Sequence, residues 1–249
     1  MRADDPAIKK VGEIISKDLS MTAKILQMVN SAFFGLFRKI NSPEQAVMML
    51  GLETIKALVL SVKIFSEFNK KSFSWFQIDD LFNHSLRVSL YAKTIIKNEN
   101  LGQELINNSM MAGLLHDLGK LILATNFEKP YRQVLAAALE NEKNLLDLEY
   151  EAFGTSHAEV GAYLMGLWRL DNAIIEAIAF HHLPTRSMTQ NIGLLTTVHV
   201  ANALDHEMRT PAGENTKLQC DTEYLDKLEI TSRIPQWRQV CKELTERNG

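Results

Sequence analysis

Apolar residues recur at three- and four-residue spacing along almost the whole 249-residue chain, and no convincing segment alternates apolar and polar residues. The stripe formed by Ile8, Val11, Ile14 and Ile15 is an early example. Such spacing is typical of amphipathic α-helices, whereas half-buried strands require the alternation that is missing here. The sequence therefore predicts an all-α protein, a multi-helix bundle.

Helix boundaries in the first third of the chain are marked by proline, serine and glycine. Pro6 follows two aspartates, and Ser42-Pro43-Glu44 combines a capping residue with proline at the first helical position. We expect Ser20 to cap the second helix and Gly51 to end the third. A long helix, apolar on most sides, is then predicted from Leu52 to about residue 68.

The stretch 69–77 mixes lysine, serine and aromatic residues and is predicted to be a connection. It separates an N-terminal helical subdomain, residues 1–68, from a second helical subdomain, residues 78–208, on which we expect it to pack. Residues 209–249 are predicted to form a loop and two short helices. Within the second subdomain we expect a helix over 78–98 and another that runs to the segment 114–117. Further helices are expected over 130–141, 144–153, 156–168, 172–182 and 190–208.

Charge and composition exclude several classes of protein. The net charge of −3 and the pI near 6.2 argue against a general nucleic-acid-binding protein, which needs a basic face. Cys220 and Cys241 lie far apart without C-x-x-C spacing, so we expect neither a disulfide framework nor a thiolate metal site, and a reducing cytoplasm fits best. The most apolar stretch, 50–65, is short and carries charges, and no signal peptide is visible at the N-terminus, so we expect no membrane partner.

Histidines accompanied by acidic residues are the chemically distinctive feature of the second half. His116 and Asp117 are adjacent at a predicted helix end, where they can offer a nitrogen and an oxygen ligand to one divalent metal. Lys120 follows and can contact a phosphate. Upstream, Asp80 and His84 are four residues apart on one helix face, so both could reach a single centre.

Three further histidines complete the candidate site: His157, His181 and His182. In a continuous helix, the neighbouring pair His181-His182 would be about 100° apart, so we expect them to serve two ions, or one to act as ligand and the other to support it. The alternative is a buried hydrogen-bond network without metal. We also expect Trp168 and the pair Phe33-Phe34 to be core residues, and the acidic segment 140–151 to be a solvated face.

Several motifs together resemble the HDOD family of HD-superfamily signalling domains. They are Leu26-Gln27-Met28-Val29-Asn30-Ser31-Ala32-Phe33-Phe34-Gly35, Ile40-Asn41-Ser42-Pro43-Glu44-Gln45-Ala46-Val47, Ala112-Gly113-Leu114-Leu115-His116-Asp117-Leu118-Gly119-Lys120, His157-Ala158-Glu159-Val160-Gly161-Ala162 and Ala177-Ile178-Ala179-Phe180-His181-His182. The resemblance covers about residues 5–208 and implies an HD-type helical fold used in bacterial signal transduction.

Related HD-GYP phosphodiesterases imply a metal-ligand set of Asp80, His84, His116, Asp117, His157, His181 and His182, with Lys120 near the phosphate. The chain departs from them in two places. Asn202 stands where their last aspartate ligand falls, with Asp205 three residues on, and the loop that names those enzymes is missing after His182. A neutral amide oxygen binds a hard cation more weakly than a carboxylate does.

The resemblance leads to three hypotheses. The first is a regulatory module that binds a protein or a nucleotide-like ligand and has little or no catalytic activity. The second is a phosphohydrolase that acts on a nucleotide or cyclic dinucleotide through a divalent metal (Fe, Mn, Zn or Ni), with Lys120 and Asp117 as catalytic residues. The third is a metal- or haem-sensing regulator. A homodimer is left open by the sequence.

Overall fold

The computed structural model describes residues 6–31, 34, 36, 38–69, 75–141, 144–189, 191–209 and 218–246. Within these ranges the chain forms α-helices, short 3₁₀ turns and connections, and no strand. The all-α prediction is confirmed. Phe33, which was expected in the core, lies outside the described residues, while its neighbour Phe34 is half-buried.

The chain divides into two compact units. A simple division at the predicted connection does not describe them, because the first unit also contains the C-terminal end of the chain. The first unit combines Met1–Lys70 with Pro235–Gly249, and the second is Lys71–Ile234. The division near residue 70 coincides with the start of the predicted connection. The segment 209–249, expected as one tail, is shared between the two units.

The first unit contains four helices from the N-terminal part of the chain and nearly all of the last helix. They are α1 (Pro6–Ser16), α2 (Leu19–Val29), α3 (Pro43–Leu50), α4 (Leu52–Asn69) and α14 (Ile234–Glu246).

Local capping defines the helix ends of the first unit. Ser42 caps α3 by accepting a hydrogen bond from the amide of Gln45, and Gly51 ends that helix with a φ of 85°. The expectation for Ser20 was wrong, because Asp18 is the residue that caps α2. An aspartate accepts the amide hydrogen bond as well as a serine does, so α2 begins before Ser20.

The second unit contains the remaining nine helices of the described residues. They are α5 (Ile78–Asn98), α6 (Gln103–Leu115), α7 (Leu118–Asn126), α8 (Glu128–Asn141), α9 (Leu145–Phe153), α10 (His157–Leu167), α11 (Asn172–Phe180), α12 (Leu194–Arg209) and α13 (Thr222–Lys227). Most lie close to their predicted ranges, but α7 was not predicted as a separate helix.

The helices α5, α6 and α12 form the centre of the second unit. Every residue of α12 from Leu194 to Asp205 is buried, so this helix is enclosed on all sides. Helix α6 approaches α5 closely at Gly113, where a Cβ atom would lie 2.8 Å from the Cα of Ser89. Trp168, expected in the core, is instead 43% exposed just after α10.

No helix in the described part of the chain is both long and apolar enough to cross a membrane.

Candidate metal centre

Four separate regions of the second unit bring histidines to one buried carboxylate, that of Asp117. Its Oδ2 lies 3.5 Å from the Nε2 atoms of both His84 and His116. Its Oδ1 lies 3.3 Å from Nε2 of His157 and 3.7 Å from Nε2 of His181. Ligands that share one first-row metal, each about 2.1 Å from the ion, are themselves roughly 3.4 Å apart. The spacing therefore suits metal ligands.

The two oxygens of Asp117 serve two groups of candidate ligands. One group contains Asp117, His84 and His116, and the other contains Asp117, His157, His181 and His182, with the ligand atoms of each group within 4.8 Å of one another. A carboxylate shared in this way can bridge two ions or hold one ion on either side.

Close packing of α7 on α10 brings Asp117 to His157. Helix α6 ends at Leu115, and Asp117 is the residue that precedes α7. Gly119, in the first turn of α7, lies so close to α10 that an added Cβ atom would be 1.8 Å from the carbonyl oxygen of His157. The absence of a side chain at Gly119 permits this close approach of the two helices.

The Nδ1 atom of each of four histidines is fixed by an acceptor outside the centre. In His116 it bonds the carbonyl of Gly113 at 2.8 Å, and in His181 it bonds that of Ile178 at 2.7 Å. The other two partners are carboxylates, which bond His84 and His157 at 2.7 Å each. Because these acceptors hold the proton on Nδ1, the Nε2 lone pair is available to a metal.

Several inward-facing atoms have no hydrogen-bond partner among the described residues. They are the Nε2 atoms of His84, His116 and His181 and the Oδ1 of Asp117. A buried polar atom without a partner costs about 1–3 kcal/mol. These atoms are all acceptors when the histidines are neutral, so a cation between them satisfies several at once. The donor set therefore fits a divalent metal.

Electrostatics keep the carboxylate charged and the nearest histidine neutral. Burial would raise the pKa of Asp117, but the Lys120 ammonium and the imidazoles around the carboxylate outweigh it and lower that pKa well below its usual range. The Lys120 ammonium donates to Oδ2 at 2.6 Å. Burial lowers the pKa of His116 well below its usual range. Both states are the ones that bind metal.

Glu149 supports His157 from α9 and was missed by the sequence analysis. It is fully buried, whereas the whole segment 140–151 was expected to be a solvated face. Its Oε2 accepts from both the backbone amide and the Nδ1 of His157, and its Oε1 accepts from Tyr131. Burial would lower the pKa of His157, but its contacts with the carboxylates of Asp117 and Glu149 prevail and raise it.

His181 and His182 both belong to the same candidate group, contrary to the expectation that they face apart. That expectation assumed a continuous helix, but α11 ends at Phe180. The Nε2 of His182 lies 3.0 Å from that of His157, so the turn after the helix directs both histidines to one place.

Asp80 is exposed and lies outside both candidate groups, although the resemblance places a ligand there. Asp205 on α12 instead contacts His84. Its other partner is Arg87, which donates from Nε at 2.5 Å and Nη2 at 3.0 Å and balances its charge. Asn202 is buried, and its Oδ1 has no hydrogen-bond partner among the described residues.

A signal for these supporting residues was present in part. Glu149 shares a helical face with buried Leu146, three residues earlier, and Asp205 shares a face with Asn202. No local pattern identifies Arg87, because its partner lies 118 residues away in the chain.

Comparison with known proteins assigns the family. The model of the HDOD domain matches residues 1–184, about three quarters of the chain, so the protein belongs to the HDOD family. A curated relative is an uncharacterized protein from Treponema pallidum, 29% identical over 205 residues, which are 80% of this chain and 38% of that protein. The chain thus spans under two fifths of that relative's length.

Two solved structures share the fold. One is an HDOD domain protein of unknown function from Geobacter sulfurreducens, with a TM-score of 0.74 and 25% identity, covering 97% of this chain and 88% of that one. The other is described as a candidate phosphohydrolase from Shewanella amazonensis, with a TM-score of 0.75 and 19% identity, covering 98% and 86%. At that identity the second comparison supports the fold alone.

Proposed function

We propose that this HDOD chain is a regulatory module that holds a divalent metal at Asp117 and acts by binding a protein or a nucleotide-like ligand. The observation that carries the proposal is the common orientation of four histidines. Each has Nδ1 bonded to an outer acceptor and Nε2 within 3.3–3.7 Å of the Asp117 carboxylate. A metal in the first group joins α5 to the α6–α7 junction, and a metal in the second group joins that junction to α10 and the turn after α11.

The charge of the ligand set favours a regulatory role over catalysis, because Asn202 stands where the related phosphodiesterases have a carboxylate ligand. Imidazole-rich sites suit Fe, Zn or Ni, and Mn is a further candidate. The only carboxylate in the two groups is that of Asp117, and Asn202 contributes no charge. One negative charge compensates two divalent ions poorly, so we expect one ion to be held more tightly than a second.

A second candidate function, metal-dependent hydrolysis of a nucleotide or cyclic dinucleotide, is favoured by the position of Lys120. Its side chain is 17% exposed while its ammonium contacts Asp117, so it can reach a phosphate at the edge of the centre. A bound metal would supply a water of lowered pKa and polarise a phosphoryl oxygen. The Shewanella amazonensis neighbour is described as a candidate phosphohydrolase, with no substrate named.

Elemental analysis of protein purified without chelators tests the proposal. We expect close to one equivalent of Fe, Mn, Zn or Ni in the wild type and strong loss in Asp117→Ala, which removes the carboxylate that both groups share. Asn107→Ala, a change at a half-buried position of the preceding helix α6, should retain the metal. A folded wild-type protein that takes up no metal even when it is added would refute the proposal. Metal-dependent phosphodiesterase or phosphatase turnover, lost in Asp117→Ala, would replace the regulatory reading with the second candidate.

A further inference from the structure

The turn that carries His181 and His182 is held from outside by two residues that the candidate ligand groups do not include. His199, on α12, contacts the backbone carbonyl of His181 through Nδ1 at 2.7 Å. On its other side, Nε2 lies 2.9 Å from the backbone amide of Asp221. Both residues lie beyond the 1–184 segment that matches the family model.

The partners of His199 determine its tautomer. A backbone amide can only donate, so Nε2 must accept from Asp221. The proton therefore sits on Nδ1, where a carbonyl acceptor is in place. His199 is 4% exposed, so neither bond has ready competition from water. This histidine acts as a rigid link between the ligand turn and the segment before α13.

Asp221 holds the far end of the same turn. Its Oδ2 accepts from the hydroxyl of Thr185 at 2.7 Å, and its Oδ1 accepts from the amide of Tyr224 at the start of α13. Residues 181–185 are thus tied at His181 through His199 and at Thr185 through Asp221. The two ligands lie within this doubly held segment.

We propose that His199 is a positioning residue for the metal centre, which with Asp221 fixes the turn bearing His181 and His182. This inference rests on the proposed metal binding. Residues that contact metal ligands without touching the metal commonly change metal affinity 10–100-fold. Here His199 contacts the backbone carbonyl of His181, which is joined directly to His182.

The test measures metal affinity by competition with a chelator, at a temperature where every variant is folded. His199→Phe keeps an aromatic ring at this position but removes both hydrogen bonds, and it should weaken metal affinity about tenfold or more. His199→Asn can keep the donor to His181 and should recover part of the loss. Thr197→Val, a buried isosteric change on the same helix that breaks the bond to Ser109, is the control and should leave affinity within about twofold.

Hydrogen exchange of the metal-free protein provides a second readout. His199→Phe and the milder Thr185→Val should each speed exchange of the amides of residues 183 and 185–187, whereas Thr197→Val should not. Wild-type affinity and exchange in His199→Phe would overturn the positioning assignment. If the wild type binds no metal, the proposed function fails, and the exchange data alone decide whether His199 holds the turn. Should His199→Phe not fold, Thr185→Val decides both readouts.

Discussion

Individual residues around Asp117 divide into those that face the centre and those that orient them. The Nδ1 of His84 contacts the buried carboxylate of Asp205, and the Nδ1 of His157 contacts that of Glu149. A carboxylate at this position fixes the ring and increases the basicity of the opposite nitrogen. Metal affinity should therefore depend on residues that never touch the ion.

The substitution Glu149→Gln tests this dependence at a single residue. It keeps the size of the side chain but removes the charge behind His157, so metal affinity should fall about tenfold. Chelator competition measures the loss. Glu151→Gln is the matched control, because Glu151 is exposed on the same helix. Equal affinities of the two variants would show that Glu149 does not tune the centre.

The candidate metal ligands could be predicted from the sequence, but the carboxylates that contact the histidine ligands from outside the centre could not. His116 and Asp117 were identified from adjacency and resemblance, because both signals are local. Asp80 was carried over from related enzymes, but the described side chain faces solvent and His84 is paired with Asp205 instead. Which carboxylate reaches a histidine depends on tertiary packing between α5 and α12, which no sequence spacing encodes.

At the scale of elements, helix crossings position the ligands, and two glycines permit the closest ones. Gly119 meets the backbone of His157, and Gly113 meets that of Ser89. Helix α7 was not predicted as a separate helix, and its first turn contains Gly119, a residue type that commonly marks turns but here lies inside a helix. The end of α11 was predicted two residues late, even though Pro184 disfavours helical geometry at the preceding residue.

Substitution of two helical glycines by alanine should have opposite effects on stability. In Gly119→Ala the new methyl group would overlap the His157 carbonyl, so we expect a loss of about 3 kcal/mol and displacement of His157. Gly166 on α10 has nothing within 4 Å of its Cβ position, so Gly166→Ala should gain up to about 1 kcal/mol. Urea unfolding measures both changes. A neutral effect of Gly119→Ala would contradict the close α7–α10 packing.

At the scale of the whole molecule, the centre makes stability depend on pH. Burial lowers the pKa values of His116 and His181, which are neutral in the folded protein and titrate near their usual range when unfolded. The unfolded chain therefore binds protons below about pH 6.5 that the folded chain does not, and stability falls as the pH falls. His157, with its raised pKa, opposes this trend in part.

Metal-free protein should accordingly lose stability between pH 7 and pH 5. Each buried neutral histidine contributes at most about 2 kcal/mol over that interval, and the opposing contribution of His157 is subtracted. Urea unfolding at the two pH values measures the difference. Saturating metal should make the free energy of unfolding depend more steeply on pH, because the ligands bind metal only when deprotonated. Stability that is constant or rises toward pH 5 would show that these histidines are not held neutral.

The architecture of the molecule was predictable to a greater extent than its division into units. Helical periodicity predicted α5 at Ile78–Asn98 as the structure has it, because a long amphipathic stripe is a strong local signal. The grouping of Pro235–Gly249 with the N-terminal unit depends on contacts between the two ends of the chain, and the sequence carries no local sign of it.

The claim that Asp117 organises a metal site is tested most directly by anomalous diffraction from crystals grown with saturating Zn²⁺, an ion that suits imidazole ligands. We predict a peak at coordination distance from an Asp117 carboxylate oxygen and from the Nε2 atoms of one candidate group, either His84 and His116 or His157 and His181. A well-ordered map with no peak beside Asp117 would contradict the account.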